Sequence, residues 1–259
     1  MGSSPRSYGY RFNWGGMLTP AIKILLIANT AVFLVQTLVQ LILGPQAHRW
    51  LIEWFGLMPR GVTHGLRVWQ PFTYLFLHGG LMHLLINMLV LWMFGRDLEL
   101  TWGRRRFYAY YFVTGVGAGV VNIIVKTIAD PAGLGSALQP TIGASGAIYG
   151  VLLAAAVVFP DRQVWLIPFP ITLPMRAYVA IMGAIEFFGT LGATGDNISH
   201  ISHLGGMLVG YLYLRRGSFL YRMRNRLSDW KRRRMRRKFE VYVRDHQDKP
   251  PSRPDHWVN

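Results

Sequence analysis

Residues 142–159 read IGASGAIYGVLLAAAVVF, an apolar run with a serine in its first turn. A run of this length is enough to cross a bilayer as a helix. Four helix breakers stand in the loop before it: Pro131, Gly133, Gly135 and Pro140. They predict that the helix begins close to Ser145. Unpaired N–H groups and the helix dipole would stabilise an oxyanion at that end.

Five more apolar runs resemble this one in length and composition. Together the six lie at roughly 20–43, 79–98, 107–127, 142–159, 175–192 and 199–215. A soluble domain of 259 residues does not carry so many runs of spanning length. The pattern predicts an all-α membrane protein with six spans and one domain over 20–215. We expect a short cytoplasmic segment at 1–19, a basic cytoplasmic tail at 216–259 and no second folded domain.

The positive charge is concentrated at the C-terminal end. The net charge is +16, and residues 215–259 hold 15 Lys/Arg against 5 Asp/Glu, which is +10 of that total. A basic block directly after a span marks the cytoplasmic side and an anionic lipid surface, which we favour over nucleic-acid binding. The distribution of Lys and Arg among the loops also favours both termini on the cytoplasmic side. This topology places Ser145 near the outer face of the membrane. Without an organelle presequence, the chain is expected in a bacterial inner membrane as a multi-pass protein.

A histidine opens the last apolar run, 58 residues after the serine. The stretch is Ser202-His203-Leu204-Gly205-Gly206-Met207-Leu208-Val209-Gly210. A hydroxyl and an imidazole at the ends of two spans are the parts of a nucleophile and its base. Gly146 and Gly150 on one helix, with Gly206 and Gly210 on the other, would let the two backbones approach closely. Ordinary small-residue packing around an incidental serine is the alternative.

The second run adds two polar side chains on one helix face. His83 and Asn87 are four residues apart, and both can donate hydrogen bonds. With the N–H of Ser145 they would form a set of donors for a tetrahedral oxyanion. The alternative is polar contact between helices, which contributes about 1 kcal/mol or less per contact.

These motifs resemble the rhomboid family of intramembrane serine proteases. The matching pieces are His78, His83 and Asn87 in order, Gly143-Ala144-Ser145-Gly146, the His203 stretch, Trp69-Gln70-Pro71-Phe72-Thr73, Gly95-Arg96-Asp97-Leu98-Glu99 and Trp102-Gly103. The resemblance covers about residues 20–215 and implies a six-helix bundle with a membrane-embedded first loop at about 44–78. It implies that Ser145 is the nucleophile, that His203 is the general base and acid, and that His83 and Asn87 are oxyanion donors. One departure is Trp69-Gln70, where some members have Trp-Arg.

No acidic residue looks well placed to orient His203, so a dyad without a third member is expected. Glu186, inside the fifth run, is assigned a structural role, and His200 is expected near the rim of the site. Glu99 and Arg104–Arg106 are expected to form a solvated face at the cytoplasmic ends of spans 2 and 3. The chemistry needs no metal and no cofactor, and the sequence predicts neither.

The predicted function is endopeptidase cleavage in or next to transmembrane segments of protein substrates. A non-catalytic rhomboid-like binder of membrane proteins is the main alternative, and a transporter or channel subunit is a third. Other protease chemistries lack their motifs, since there is no His-Glu-x-x-His and no Gly-x-Gly-Asp. With no cysteine, thiolate nucleophiles and disulfides are excluded.

Overall fold

The computed structural model describes residues 18–165, 171–192 and 200–216. Its helices are α1 (Pro20–Phe55), α2 (Pro59–Thr63), α3 (Gln70–Thr73), α4 (Leu81–Val90), α5 (Arg96–Trp102), α6 (Arg104–Ala129), α7 (Ser145–Val158), α8 (Met175–Gly192) and α9 (200–216). The chain divides into two units, Met1–Tyr213 and Leu214–Asn259. Only 214–216 of the second unit is described, so the predicted basic tail lies outside the described residues beyond residue 216. The predicted N-terminal segment likewise lies outside them up to residue 17.

Helix α1 is long and is broken at one point. Its 36 residues would extend about 54 Å as one straight helix, well beyond the roughly 30 Å of hydrocarbon in a bilayer. Gly44 has φ 85° and ψ 175°, and Pro45 follows it without a backbone N–H to donate. The break therefore falls where the first predicted span ends, and the second half of the helix enters the predicted first loop.

A buried carboxylate caps the start of α1. Glu99 accepts hydrogen bonds from the N–H of Ala21 at 2.8 Å, from the N–H of Ile22 at 3.1 Å and from the hydroxyl of Thr19. An anion at a helix N-terminus satisfies unpaired donors and complements the helix dipole. Glu99 is only 4% exposed, so the solvated-face prediction was wrong for this residue. Residues Arg104–Arg106 are exposed, as that prediction had them.

Within residues 18–165, 171–192 and 200–216, three helical segments are long and apolar enough to cross a membrane. They are Pro20–Phe55, Leu81–Trp102 and Arg104–Ala129, and Ser145–Val158 is a shorter apolar helix. The mostly helical membrane architecture is thereby confirmed, while the six-span count stays a prediction. The second segment joins α4 to α5 through a π-helical turn, Leu91–Gly95. There the backbone of Gly95 lies against Ile22, whose Cδ1 would be 2.8 Å from an added Cβ.

Helix α7 has the largest buried fraction among the described α-helices. Eight of its 14 residues are buried, and it packs extensively against α6. It also contacts α8 and the π-helical turn. This central position places the first turn of α7 among the surrounding helices.

A small hairpin interrupts the helical pattern between α7 and α8. Strands β1 (Gln163–Trp165) and β2 (Thr172–Pro174) pair antiparallel, with Val164 opposite Leu173. In the sequence analysis these residues lie between the fourth and fifth apolar runs. The strands are short and belong to the connection between two predicted spans, so they add to the all-α fold without changing it.

The first loop is folded and fixed to the segment before α7. Leu57 and Thr141 exchange backbone hydrogen bonds of 2.9 and 2.8 Å. The buried Gln70 amide donates to the carbonyl of Glu53 and accepts from the N–H of Met58. The departure at Gln70 is thus a structural clamp of the loop. Several apolar side chains of the loop are exposed, among them Trp50, Trp69 and Phe72, which suits the predicted submersion.

We predict a pH-dependent contact in the loop after α6. Asp130 accepts from the N–H groups of Ala137, Gly135 and Leu134, and these bonds lower the pKa of its carboxyl below the usual value. A lowered pKa stabilises the folded loop above the usual pKa of aspartate, and this contribution is lost as pH falls through the lower folded value. Amide chemical shifts of Gly135 and Ala137 should follow that titration. The titration should be absent in Asp130→Asn, and a midpoint at or above the ordinary aspartate value would contradict the prediction.

Candidate active site

Ser145 and His203 are in contact although 58 residues separate them. Ser145 is the first residue of α7, and His203 lies near the described start of α9. The distance from Ser145 Oγ to His203 Nε2 is 2.8 Å, which is a hydrogen bond. His203 is 9% exposed, so the contact is shielded from bulk water. The two side chains have the relative placement that a nucleophile and its base require.

Glycines bring α7 and α9 together until their backbones touch. A Cβ added to Gly206 would lie 1.9 Å from the carbonyl oxygen of Gly146. One turn further, a Cβ on Gly210 would lie 3.5 Å from the Cα of Gly150 and 2.4 Å from the hydroxyl of Tyr110. The glycines that the sequence analysis placed on facing surfaces therefore meet in the structure. This close approach sets the separation across which the serine and the histidine interact.

An aromatic side chain that the sequence analysis did not single out supports the histidine. The ring of Tyr149 stacks on the His203 ring, with centroids 4.3 Å apart and planes 10° from parallel. Tyr149 lies one helical turn after Ser145, so both reach the same side of α7. That spacing was readable in the sequence, but a tyrosine in an apolar helix has no distinctive signature.

His83 lies beside the serine and presents a ring N–H. The backbone N–H of Gly79 donates to its Nδ1 over 3.3 Å, which leaves the ring proton on Nε2. The ring packs against Gly143, where an added Cβ would lie 2.9 Å from Nε2 and 3.7 Å from Ser145 Oγ. Gly143 also has φ 124°, which side chains rarely permit. Glycine is thus needed at this position both for the backbone and for the space that His83 fills.

Asn87 contributes a buried side-chain amide N–H donor to the site. It is 5% exposed, and its Nδ2 has no hydrogen-bond partner within 18–165, 171–192 and 200–216. A buried polar group left unpaired costs about 1–3 kcal/mol, so such a group calls for an explanation. Asn87 lies one turn after His83 on α4, and the two form the donor face that the sequence predicted.

The segment that carries His83 is fixed by a second clamp, which the sequence analysis missed. The side chain of Gln36 accepts from the N–H of His78 at 3.0 Å and donates to the carbonyl of His78 at 3.2 Å. Both residues are buried, and their contact joins α1 to the segment just before α4. A polar residue inside the first apolar run was the available signal. Its partner is 42 residues away, which no local pattern reveals.

A carboxylate reaches the histidine, contrary to the prediction that none is well placed. Glu186 Oε2, on α8, is 2.9 Å from His203 Nδ1 and 2.6 Å from His200 Nδ1. The contact with His203 is too bent for a regular hydrogen bond, so it acts mainly through charge. The other oxygen, Oε1, accepts a hydrogen bond from the Tyr149 hydroxyl. Glu186 therefore belongs to the site rather than to helix packing alone.

The same cluster has the composition of a metal site. Glu186, His200 and His203 each offer one ligand atom, and these atoms lie within 4.8 Å of one another. Imidazole and carboxylate ligands suit zinc. The ring nitrogens of both histidines lie at contact distance from the carboxylate oxygen Oε2, so the three side chains interact directly.

A bundle of apolar helices that holds a serine against a histidine, with two donors beside them, defines a membrane protein with a serine–histidine site. A family model described as the rhomboid domain matches residues 65–218, more than half of the chain. The chain belongs to the rhomboid family.

Curated relatives agree with this assignment. Rhomboid protein 1, mitochondrial, of Saccharomyces cerevisiae is 31% identical over 53% of this chain and 38% of its own length. Presenilin-associated rhomboid-like protein A, mitochondrial, of Danio rerio is 30% identical over 66% of this chain and 42% of its own. RHOMBOID-like protein 1 of Arabidopsis thaliana is 29% identical over 62% and 38%. The chain thus spans about two fifths of the length of these relatives.

Proposed function

We propose that the chain is an intramembrane serine endopeptidase that cleaves membrane proteins in or next to their transmembrane segments. The observation that carries the proposal is the 2.8 Å contact between Ser145 Oγ and His203 Nε2 at the enclosed start of α7. Membership of the rhomboid family supports it. Polar and ionisable side chains are costly among apolar helices, and a catalytic role accounts for their concentration here.

In the first half of the reaction, Ser145 Oγ attacks the carbonyl carbon of the scissile peptide bond. The Oγ proton passes to His203 Nε2, and the carbonyl electrons form an oxyanion. The N–H of Ser145 and the side chains of His83 and Asn87 are the donors for that oxyanion. The intermediate then collapses, the C–N bond breaks, and the imidazolium returns the proton to the leaving amine.

In the second half, water attacks the acyl-enzyme. His203 takes a proton from the water, a second oxyanion forms on the same donors, and the Ser145 ester bond breaks with return of the proton to Oγ. The products are a new carboxylate and a new amine, and the enzyme is regenerated. Each step uses side chains of this chain and water, with no cofactor.

Substrates are proposed to be transmembrane protein segments that unwind easily. A helix holds its carbonyls in hydrogen bonds, so the substrate must open locally before Ser145 can attack. Small or helix-weakening residues near the cut would lower this cost. If substrates with a stabilised helix at the cut were cleaved as fast as their parent, this preference would be refuted.

The setting of the protein is part of the proposal. The basic block at 215–259 is proposed to contact anionic lipid on the cytoplasmic side, with both termini there. The bacterial inner membrane inferred from the sequence finds no support among the relatives described above, two of which are named as mitochondrial. Those names favour a mitochondrial membrane as the alternative setting.

The test is cleavage of a single-span substrate in liposomes by the purified parent and by Ser145→Ala. Cleavage by the parent and none by the variant supports the proposal. Capture of the substrate by both without cleavage would favour the non-catalytic binder instead. Equal cleavage by both would mean that another residue is the nucleophile.

We predict that the two oxyanion donors matter for turnover more than for binding. His83→Ala and Asn87→Ala should each lower kcat by about 100- to 1,000-fold, because the donors act on charge that develops only in the transition state. KM should change little. Asn29→Ala, which removes a fully buried amide that donates to the Leu25 carbonyl within α1, is the matched control for loss of an amide elsewhere in the bundle. An equal fall of kcat in that control would contradict a specific role for Asn87.

A further inference from the structure

Glu186 carries a carboxylate in the middle of an apolar helix. That carboxylate contacts His203 itself and two residues beside it, Tyr149 and His200. Its side chain is 6% exposed. It comes from α8, while its partners Tyr149, His200 and His203 come from α7 and α9. A charge placed so deep among helices is costly unless it is paired, and here it has three partners.

The two carboxylate oxygens have different partners. Oε1 accepts a hydrogen bond from the Tyr149 hydroxyl, and Oε2 lies 2.6 Å from His200 Nδ1 and 2.9 Å from His203 Nδ1. Tyr149 also covers one face of the His203 ring. Tyr149 and His200 thus hold the carboxylate, and the carboxylate in turn faces the ring nitrogen of His203 that is turned away from the serine.

This placement decides where the His203 proton lies. A neutral imidazole carries one proton, on either Nδ1 or Nε2. A proton on Nε2 would set the Nδ1 lone pair against the carboxylate at 2.9 Å, which is repulsive. A proton on Nδ1 is attracted to Oε2 and leaves the Nε2 lone pair free to accept the Ser145 proton at 2.8 Å. The bent angle weakens the bond to Nδ1, but the charge preference remains.

The carboxylate also faces the charge that forms during catalysis. When His203 accepts the serine proton, both ring nitrogens carry protons and the ring is an imidazolium. A carboxylate 2.9 Å from Nδ1 stabilises that cation, whereas the surrounding apolar helices do not. The histidine of a serine–histidine–acid triad is helped in the same two ways.

We propose that Glu186 is a positioning residue for His203. It is the third member of a Ser145–His203–Glu186 triad whose side chains come from α7, α9 and α8. The inference rests on the proposed function. Tyr149 and His200 are the groups that hold Glu186 in place. The carboxylate orients His203 and stabilises its protonated form, and it does not itself touch the substrate.

The kinetic test compares Glu186→Gln and Glu186→Met with the parent in liposomes. Removing the charge in Glu186→Gln should lower kcat by about 10- to 100-fold, and Glu186→Met should lower it by about 100-fold or more. KM should stay within about threefold because Glu186 is proposed to act through His203 and not on the substrate. Unchanged kcat in both variants would overturn the inference.

Stability is separated from catalysis with a matched carboxylate. Glu99→Gln makes the same chemical change in a buried glutamate that caps α1, far along the chain from the histidine. It should lower the thermal midpoint and leave kcat per folded molecule unchanged. If the kcat of Glu186→Gln falls only in proportion to the folded fraction, as in this control, then Glu186 is merely structural and the inference fails.

A spectroscopic readout tests the tautomer directly. In protein labelled with ¹⁵N-histidine, the His203 ring, assigned by its absence in His203→Gln, should show a protonated Nδ1 and an unprotonated Nε2. In Glu186→Met the two tautomers should mix. A parent ring protonated on Nε2 would overturn the inference even if activity were lost.

Failure of the proposed triad and failure of the proposed protease function give different experimental results. If the parent cleaves and Ser145→Ala does not, but the Glu186 variants match the parent, then the proposed role of Glu186 is wrong and the proposed protease function is supported. If the parent does not cleave at all, the proposed function fails, and the tautomer measurement still reports on the Glu186–His203 contact.

Discussion

Ser145→Ala, His203→Ala and the double variant are expected to lose cleavage to the same extent, by about 10⁴- to 10⁶-fold in kcat. The reason is that the two side chains act as a unit. Without the base the hydroxyl at 2.8 Å stays protonated and unreactive, and without the hydroxyl the base has no proton to take. Once one of the two side chains has been removed, removing the other should therefore not lower kcat further.

The measurement is kcat for all three variants on the same single-span substrate in liposomes. His64→Ala, an exposed histidine in the first loop, serves as the control for loss of an imidazole and should keep the parent rate. A double variant whose loss equals the product of the single losses would show that Ser145 and His203 contribute independently. In that case the contact seen in the structure would not be the catalytic one.

The sequence located this pair because both signals are local. A serine among glycines at the start of an apolar run and a histidine at the start of another are visible without any fold. The same holds for His83 and Asn87, whose spacing of four residues places them on one face of any helix. The lengths of apolar runs likewise predicted the helices, and the break of α1 at Gly44 falls beside the predicted end of the first span.

Contacts between segments that are distant in the chain could not be predicted from such local patterns. Glu186 was noticed in the fifth run, yet its position against His203 depends on how α8 is rotated and tilted relative to α9. The 42-residue clamp between Gln36 and His78 and the cap of α1 by Glu99 have the same character. A helix face can be read from the sequence, but its partner face is decided by tertiary packing.

Hydrogen-bond geometry also distinguishes the two histidines of α9, of which the sequence analysis took His203 as the base and expected His200 near the rim of the site. His203 contacts both Ser145 and Glu186, whereas the Nδ1 of His200 points to Glu186. The ring of His200 fills the space beside Gly189, where an added Cβ would lie 2.6 Å from it. These contacts make His200 a support for the carboxylate rather than the base.

Gly206→Ala is expected to lower kcat by about 100-fold and to destabilise the fold. The added Cβ would lie 1.9 Å from the carbonyl oxygen of Gly146, and both atoms belong to helix backbones that cannot rotate away. Helices α7 and α9 must separate by about 1 Å or more, which is enough to cost about 100-fold when it misplaces a catalytic contact. Overpacking of this kind costs about 1–3 kcal/mol of stability.

Gly183→Ala is the matched control, because a Cβ there would meet Met207 Sδ at an ordinary 3.5 Å. It also faces α9, so it tests whether any methyl group at that surface is harmful, and it should leave kcat unchanged. Thermal midpoints and kcat are measured together for both variants. A Gly206→Ala protein with the parent's kcat would show that the close approach of α7 and α9 does not set the Ser145–His203 geometry.

Gly210→Ala distinguishes backbone contact from side-chain contact at the same interface. Its Cβ would lie 2.4 Å from the Tyr110 hydroxyl, which a second substitution can remove. Tyr110→Phe loses the hydrogen bond to the Gly150 carbonyl, but in combination with Gly210→Ala it should recover part of the activity. No side-chain substitution can relieve Gly206→Ala, because the obstacle there is the carbonyl oxygen of Gly146. The requirement for glycine at position 206 is therefore set by the backbone of α7, whereas at position 210 it depends on the tyrosine that faces it.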